Sequence, residues 1–260
     1  FIIEFFIACI LEGLGHIHKN SIIHRDLKPE NLVVDKHGYV RITDFGVAKE
    51  WKKNNAKETS GTPGYMAPEV LCSQNHSYAV DFFAIGVMVY EFMIGERPYQ
   101  GNNRKEIKEA VLRKQVQVHL SDLPEGWSQE SMNFINLTLQ RKPERRLGYE
   151  NGIFDLIEHE WFKNFNWEGL KKKTMKAPFL PEFGHNFDES YCEEIDPISK
   201  NTNERYQKYI QDEHFVTVFD GYTYVNEEEI RQILPAFKFN MNNGNLASKK
   251  NLTSIPKETS

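Results

Sequence analysis

A mainly α (α+β) fold, with one short β-hairpin and an extended tail, is what these 260 residues predict. Three patterns carry that expectation. Apolar residues recur at three- and four-residue steps at Ile3, Ile7, Ile10, Leu14 and Ile17. Ala79 to Ile94 is apolar on nearly every face, so it belongs in the interior. Leu32-Val33-Val34 and the alternating run Tyr39 to Thr43 flank the turn residues Asp35-Lys36-His37-Gly38, which reads as a hairpin.

Taken in order, Phe1 to His18 is the first helix, ended by Asn20 and Ser21. The hairpin follows, and the loops around it are places where a rigid scaffold can hold reactive groups. After the buried helix comes a charged surface helix, Arg104 to Lys114. An amphipathic helix spans Ser128 to Leu139, with Met132, Ile135 and Leu139 on one face. A shorter helix is expected over Ile153 to Phe162. After Trp167 prolines, acidic residues and scattered aromatics replace the helical period. From Asn226 the chain is rich in Asn, Lys and Ser and is expected to be mostly disordered. The division is thus a folded body, 1–165, an extended tail, 166–225, and a disordered end, 226–260.

Hydrophobic residues make up 40% of the chain, enough for a core. The net charge of −5 argues against nucleic acid or an anionic membrane as the main partner. Cys9, Cys72 and Cys192 are scattered and odd in number, which fits neither a disulfide framework nor a zinc site. A reducing, cytoplasmic location is expected. The apolar runs at Phe1–Leu11 and Phe82–Ile94 contain Glu4 and Glu91 and fall short of the ~20 residues that cross a bilayer. No membrane span is expected, and no signal peptide is recognisable in these residues.

Chemistry concentrates in His24-Arg25-Asp26-Leu27-Lys28-Pro29-Glu30-Asn31, in Asp44-Phe45-Gly46, and in Gly61-Thr62-Pro63-Gly64-Tyr65-Met66-Ala67-Pro68-Glu69. Those strings, in that order, resemble the catalytic loop, the metal-binding motif and the Ala-Pro-Glu end of the activation segment of eukaryotic protein kinases. The sequence is similar to the serine/threonine AGC group. The fold this implies is the larger, C-terminal lobe of a kinase with its tail. Phe1 is not a start methionine, and no glycine-rich loop or Val-Ala-Ile-Lys strand precedes His24. The chain is therefore expected to lack its small, N-terminal lobe and to be inactive alone.

The resemblance implies ATP and Mg²⁺ as cofactors. It makes Asp26 the base, Lys28 a point charge on the transferred phosphoryl group, Asn31 and Asp44 the metal ligands, and Thr62 a contact of Asp26. Lys28, Glu30, Asn31, Val33, Thr43, Asp44 and Phe187 fall at nucleotide-binding positions. His24 is expected to pack and hydrogen-bond locally rather than act as base. Asp81 is expected to bond amides of the catalytic loop, and Glu69 to pair with Arg146. The serine/threonine form follows from Leu-Lys-Pro-Glu after Asp26 and from Thr62. Glu30 and Glu91 match positions that bind basic residues of protein substrates.

Regulation is less regular. Counting back four residues from Thr62 reaches Glu58 where the group usually carries a phosphorylated residue, with Thr59 and Ser60 next. Either the register slips by one or Glu58 stands in for phosphate, with Arg25 and Lys49 as basic partners. An upstream activating kinase is a further implied partner, beside protein substrates and the small lobe. Ala177-Pro178-Phe179-Leu180-Pro181 and Asn186-Phe187-Asp188 resemble the AGC tail. Phe219 to Tyr224 resembles its hydrophobic motif, with Thr223 as the modifiable position, although Val216 to Val225 around Asp220-Gly221 also reads as a hairpin. A rival reading is a catalytically silent lobe that serves as a docking module.

Overall fold

A computed structural model describes residues 2–181. The first helix, α1 (Ile2–Lys19), buries Phe5, Ile7, Ala8, Ile10, Leu11 and Leu14 completely. Glu4 in its first turn and Lys19 in its last complement the helix dipole. The Asn20 side chain donates to the His16 carbonyl (2.8 Å) and closes the end.

β1 (Ile22–Ile23) leads into the catalytic-loop sequence. A 3-10 turn, Pro29–Asn31, then opens β2 (Leu32–Val34), which pairs antiparallel with β3 (Val40–Ile42) in the register Leu32↔Ile42 and Val34↔Val40. The hairpin forms because the Asp35 carboxylate accepts from the amides of His37 and Tyr39, at 2.9 and 3.0 Å, which closes the turn from within. β4 (Lys49–Glu50) pairs back on β1, a second two-stranded sheet that the sequence did not predict.

α2 (Pro68–Leu71) is a single turn. α3 (Ala79–Ile94) spans the range its composition predicts and buries twelve of its residues. It ends at Gly95, whose φ of +87° is the left-handed C-cap that glycine adopts without strain. α4 (Arg104–Arg113) starts on the Asn103 side chain and α5 (Gln129–Thr138) on Ser128. α3 packs against α1 on one side and α5 on the other. Contact with α5 is close at Gly86, where a Cβ would meet Thr138 Oγ1 at 2.6 Å.

Two expectations are corrected. Ile153 to Phe162 is not one helix: α6 (Ile153–Ile157) stops, and a 3-10 turn, Glu160–Phe162, restarts the chain. His159 causes the break, because its ring Nδ1 accepts from the Trp161 amide (3.2 Å) and offers a local alternative to the helix. The helical pattern also does not end at Trp167. α7 (Trp167–Lys171) begins there, capped by Asn166 Oδ1 on the Gly169 amide (2.9 Å), with Trp167 packed on Phe162 and Phe165. Among the described residues no helix is long and apolar enough to cross a membrane. Phe187, Thr223, the Phe219–Tyr224 motif, the possible hairpin at 216–225 and the end at 226–260 lie outside the described residues.

Candidate active site

A buried carboxylate organises the site. Asp81, in the first turn of α3, is 1% exposed. Its Oδ2 accepts from the His24 amide (3.0 Å) and from His18 Nε2 (2.8 Å), and its Oδ1 accepts from the Arg25 amide (2.8 Å). Burial pushes the Asp81 carboxyl up, but His18 and the two amides outweigh it and hold it below its ordinary value. Asp81 therefore fixes the loop carrying Asp26 to the central helix. Arg25 sits at φ +69°, uncommon for a residue with a side chain. Such a conformation persists where the surroundings over-determine it. Here Asp81 holds the Arg25 amide while Val47 O and Glu58 hold its guanidinium.

Asp26 is fully engaged. Oδ1 accepts from the Thr62 amide (2.8 Å), and Oδ2 lies 3.1 Å from both Asn31 Nδ2 and Lys28 Nζ. Lys28 also donates to Thr62 Oγ1 (2.8 Å). Burial raises the Asp26 carboxyl, while the Thr62 and Lys28 hydrogen bonds and the lysine charge lower it further, so it is ionised at neutral pH. Asp26, Lys28, Asn31 and Thr62 thus form one connected group, although Thr62 enters from a segment 36 residues away.

His24 is fully buried. Its Nε2 bonds the Thr43 carbonyl (3.1 Å) and its ring packs edge-on against Phe45, which matches its expected packing role. Thr43 also donates through its amide and its hydroxyl to the Asn31 carbonyl, which ties the two strings together. Asp44 follows, exposed, at φ +59°, with Oδ1 accepting from the Gly46 amide (3.0 Å). Val33 is half exposed on β2.

Asn31 and Asp44 fit a hard divalent cation. Asn31 Nδ2 donates to both the Asp26 carbonyl and carboxylate, which leaves Oδ1 without a partner among the described residues. Asp44 offers an exposed carboxylate. Among the described residues no three His, Cys, Asp or Glu side chains converge on one point. One carboxylate and one amide oxygen are what Mg²⁺ needs when phosphate and water complete its shell.

The activation segment is anchored at several points. Glu58 Oε2 lies 3.1 Å from Arg25 and its Oε1 lies 3.2 Å from Lys49, while Thr59 and Ser60 are exposed. Glu69 and Arg146 form a bidentate pair at 2.7 and 3.0 Å, both out of solvent. Tyr65 donates to Glu91 Oε2 at 2.5 Å. Burial, and then Glu91 and Glu30, push the Tyr65 hydroxyl far up, so both glutamates act on the same point. Glu30 itself is exposed.

The sequence did not single out His18, Tyr65, Val47, Asn55 or His76, all of which touch this network. Their partners lie 22 or more residues away, except for the Asn55–His76 pair at 21, so no local spacing marks them. Only Tyr65, inside the Gly-Tyr-Met-Ala-Pro-Glu string, stood within a recognisable motif.

A loop-borne aspartate with a lysine and an asparagine, bracketed by a segment ending in a buried Glu–Arg pair on a helical lobe, defines the phosphotransferase class of fold. The protein kinase domain family matches residues 2–162. The chain is 36% identical over 196 residues to cGMP-dependent protein kinase 2 of Rattus norvegicus, covering 75% of this chain and 25% of that protein. It is 35% identical to serine/threonine-protein kinase N2 of Danio rerio over 198 residues, 73% of this chain and 20% of that one. It is also 35% identical to serine/threonine-protein kinase AtPK1/AtPK6 of Arabidopsis thaliana over 193 residues, 72% of this chain and 40% of that one. The chain belongs to the eukaryotic protein kinase family, in its serine/threonine AGC group. It spans 20 to 40% of the length of these relatives.

Proposed function

We propose that this chain carries the phosphoryl-transfer lobe of a protein serine/threonine kinase. The observation that supports this best is the Asp26 carboxylate, kept ionised by Lys28, steered by the Thr62 amide and shared with Asn31. Asp26 orients a Ser or Thr hydroxyl and accepts its proton on a carboxylate oxygen. Lys28 offers its ammonium to the phosphoryl oxygens. Asn31 Oδ1 and Asp44 would hold Mg²⁺, and Lys28, Glu30, Val33, Thr43 and Phe187 would line the nucleotide. Bound ATP and Mg²⁺ supply the phosphoryl group and neutralise its charge. Residues 1–165 form the lobe and 166–225 the tail, and the protein works in the cytoplasm.

Substrates carry a basic residue beside the phosphoacceptor, met by Glu30 and Glu91. The 260 residues alone do not turn over, because they contain no glycine-rich loop or strand lysine to hold ATP. The test is phosphate incorporation into an Arg-containing peptide by a protein that joins this chain to a kinase small lobe. Turnover on the order of 1–100 s⁻¹ is expected, lost in Asp26→Asn with ATP binding retained. Asp44→Asn should weaken Mg²⁺-dependent ATP binding as well. Near-normal rates in both variants would overturn these roles, and turnover by the isolated chain would overturn its inactivity.

A further inference from the structure

Resting on that kinase reading, we propose that Glu58 is a positioning residue. Its permanent carboxylate holds the catalytic loop in register with the activation segment, and phosphorylation of that segment is not required.

Arg25, beside Asp26, has a side chain only 4% exposed. A guanidinium so buried needs acceptors on every edge. Val47 O takes Nε, and Glu58 takes NH1 from a position 33 residues on. Glu58 turns its other oxygen to Lys49, on the strand that pairs with β1. One carboxylate thus joins the catalytic loop, β4 and the activation segment. A phosphate would make similar bonds with a charge of about −1.5 to −2. Glu58 makes them without a modifying enzyme.

A second set of contacts delivers Glu58 to this place. Asn55 is buried and exchanges hydrogen bonds with His76: its Nδ2 donates to the His76 carbonyl and its Oδ1 accepts the His76 amide, each at 2.9 Å. Asn75 Oδ1 accepts the amides of Asn55 and Ala56. The Glu58 amide then donates to the Asn55 carbonyl (2.9 Å). Trp51 Nε1 donates to the His76 carbonyl as well, and its ring stacks on Tyr78. The turn presenting Glu58 is therefore fixed to the loop before α3 by neutral groups. Thr59 and Ser60, exposed, make no side-chain hydrogen bonds among the described residues. A phosphate on Thr59 would arrive beside a carboxylate whose two bases are already engaged.

The test uses the full-length protein, expressed in bacteria and treated with phosphatase, with an unmodified activation segment verified by mass. Its kcat should not change on treatment, nor in Thr59→Ala or Ser60→Ala. Glu58→Gln should lower kcat by about 10- to 100-fold through misplacement of Asp26, with little change in the KM for ATP. Glu58→Asp should recover part of it. In this 260-residue chain, Glu58→Gln should speed hydrogen exchange across residues 44–69 while the urea midpoint falls less than in Arg146→Ala, because the glutamine keeps an acceptor oxygen and the site is partly exposed. A kcat that requires phosphorylation of Thr59 or Ser60 would overturn the proposal. So would a Glu58→Gln variant with unchanged kcat and unchanged exchange. If no form turns over, phosphorylated or not, the kinase reading fails, and the exchange result alone decides the clamp.

Discussion

Arg146 and Glu69 face each other through two parallel hydrogen bonds at 2.7 and 3.0 Å, with side chains 0% and 3% exposed. Arg146 NH1 also donates to the Ala79 carbonyl at the start of α3, and its guanidinium lies 5.0 Å from the centre of the Phe83 ring. The pair therefore joins the end of the activation segment to the central helix. Removing one partner leaves the other as a buried, uncompensated charge. Arg146→Ala should destabilise the fold by about 3–5 kcal/mol, and Glu69→Ala by a similar amount. Glu160→Gln, which breaks an ion pair whose side chains are both 67% exposed, should change stability by about 0–1 kcal/mol. Urea denaturation of the three variants makes the comparison. Equal effects would show that the Arg146 pair is solvated in solution.

Asp81 sets an acid limit. Its folded pKa lies below the unfolded value of about 3.9, so its stabilising contribution is complete above that pH. The contribution disappears as the pH falls further, through the folded value. Asp26 and Asp35 are also lowered and add to the same limb. Asp81→Asn can still accept one amide, but its NH₂ opposes the other donors. It should cost about 1–3 kcal/mol at pH 7 and flatten the fall in stability below about pH 4. The urea midpoint between pH 7 and pH 2 reads both effects. An acid limb as steep as in the unmodified chain would remove Asp81 from this role.

How far the sequence could be read depends on the range of each contact. The hairpin at 32–42 was legible because Asp35 to Gly38 closes its turn through bonds two and four residues long. α3 was legible because it is buried all round, so its bounds coincide with its apolar run. The candidate site was legible because Asp26, Lys28 and Asn31 lie within one string. The pairing of Ile22-Ile23 with Lys49-Glu50 was not, since two-residue strands leave no period to detect. The break at His159 and the restart at Asn166 depend on single side chains capping five-residue helices and turns, below the window in which periodicity appears. Asn55 and His76 looked like ordinary loop residues. Only the fold shows that they bind each other.

Glu91 should govern selection of basic peptides. One of its carboxylate oxygens is occupied by the Tyr65 hydroxyl at 2.5 Å, which orients the other, and Glu30 adds a second negative charge nearby. In the active protein Glu91→Gln should raise the KM for an Arg-containing peptide by about tenfold or more, a charge-assisted bond being worth roughly 1.5–3 kcal/mol. Neutral peptides should be spared, and kcat should hold. Tyr65→Phe should give a smaller change in the same direction. A peptide library whose preferences are unchanged in Glu91→Gln would reduce both glutamates to solvated surface charges.

Gly38 ties the hairpin to the segment at 177–180. Its φ of +83° lies in the left-handed region, where a side chain costs roughly 1–2 kcal/mol. A Cβ there would also press on the Phe179 carbonyl oxygen and lie 2.5 Å from the Ala177 methyl. Ala177 is buried, and the neighbouring Tyr39 hydroxyl donates to the Met175 carbonyl at 2.8 Å. The segment Met175–Leu180 thus lies directly over the turn, and the missing side chain at position 38 makes the room. Gly38→Ala carries both the backbone strain and the clash, and backbone cannot swing aside as a flexible side chain can. It should displace residues 177–180 and speed trypsin cleavage after Lys173 and Lys176, both exposed. Tyr39→Phe, which removes only the hydrogen bond, should cost about 0.5–1.5 kcal/mol and loosen the segment less. Limited proteolysis of the two variants, with urea midpoints to exclude global unfolding, ranks them. If Gly38→Ala is cleaved no faster than the unmodified chain, residues 177–180 do not pack on the turn in solution.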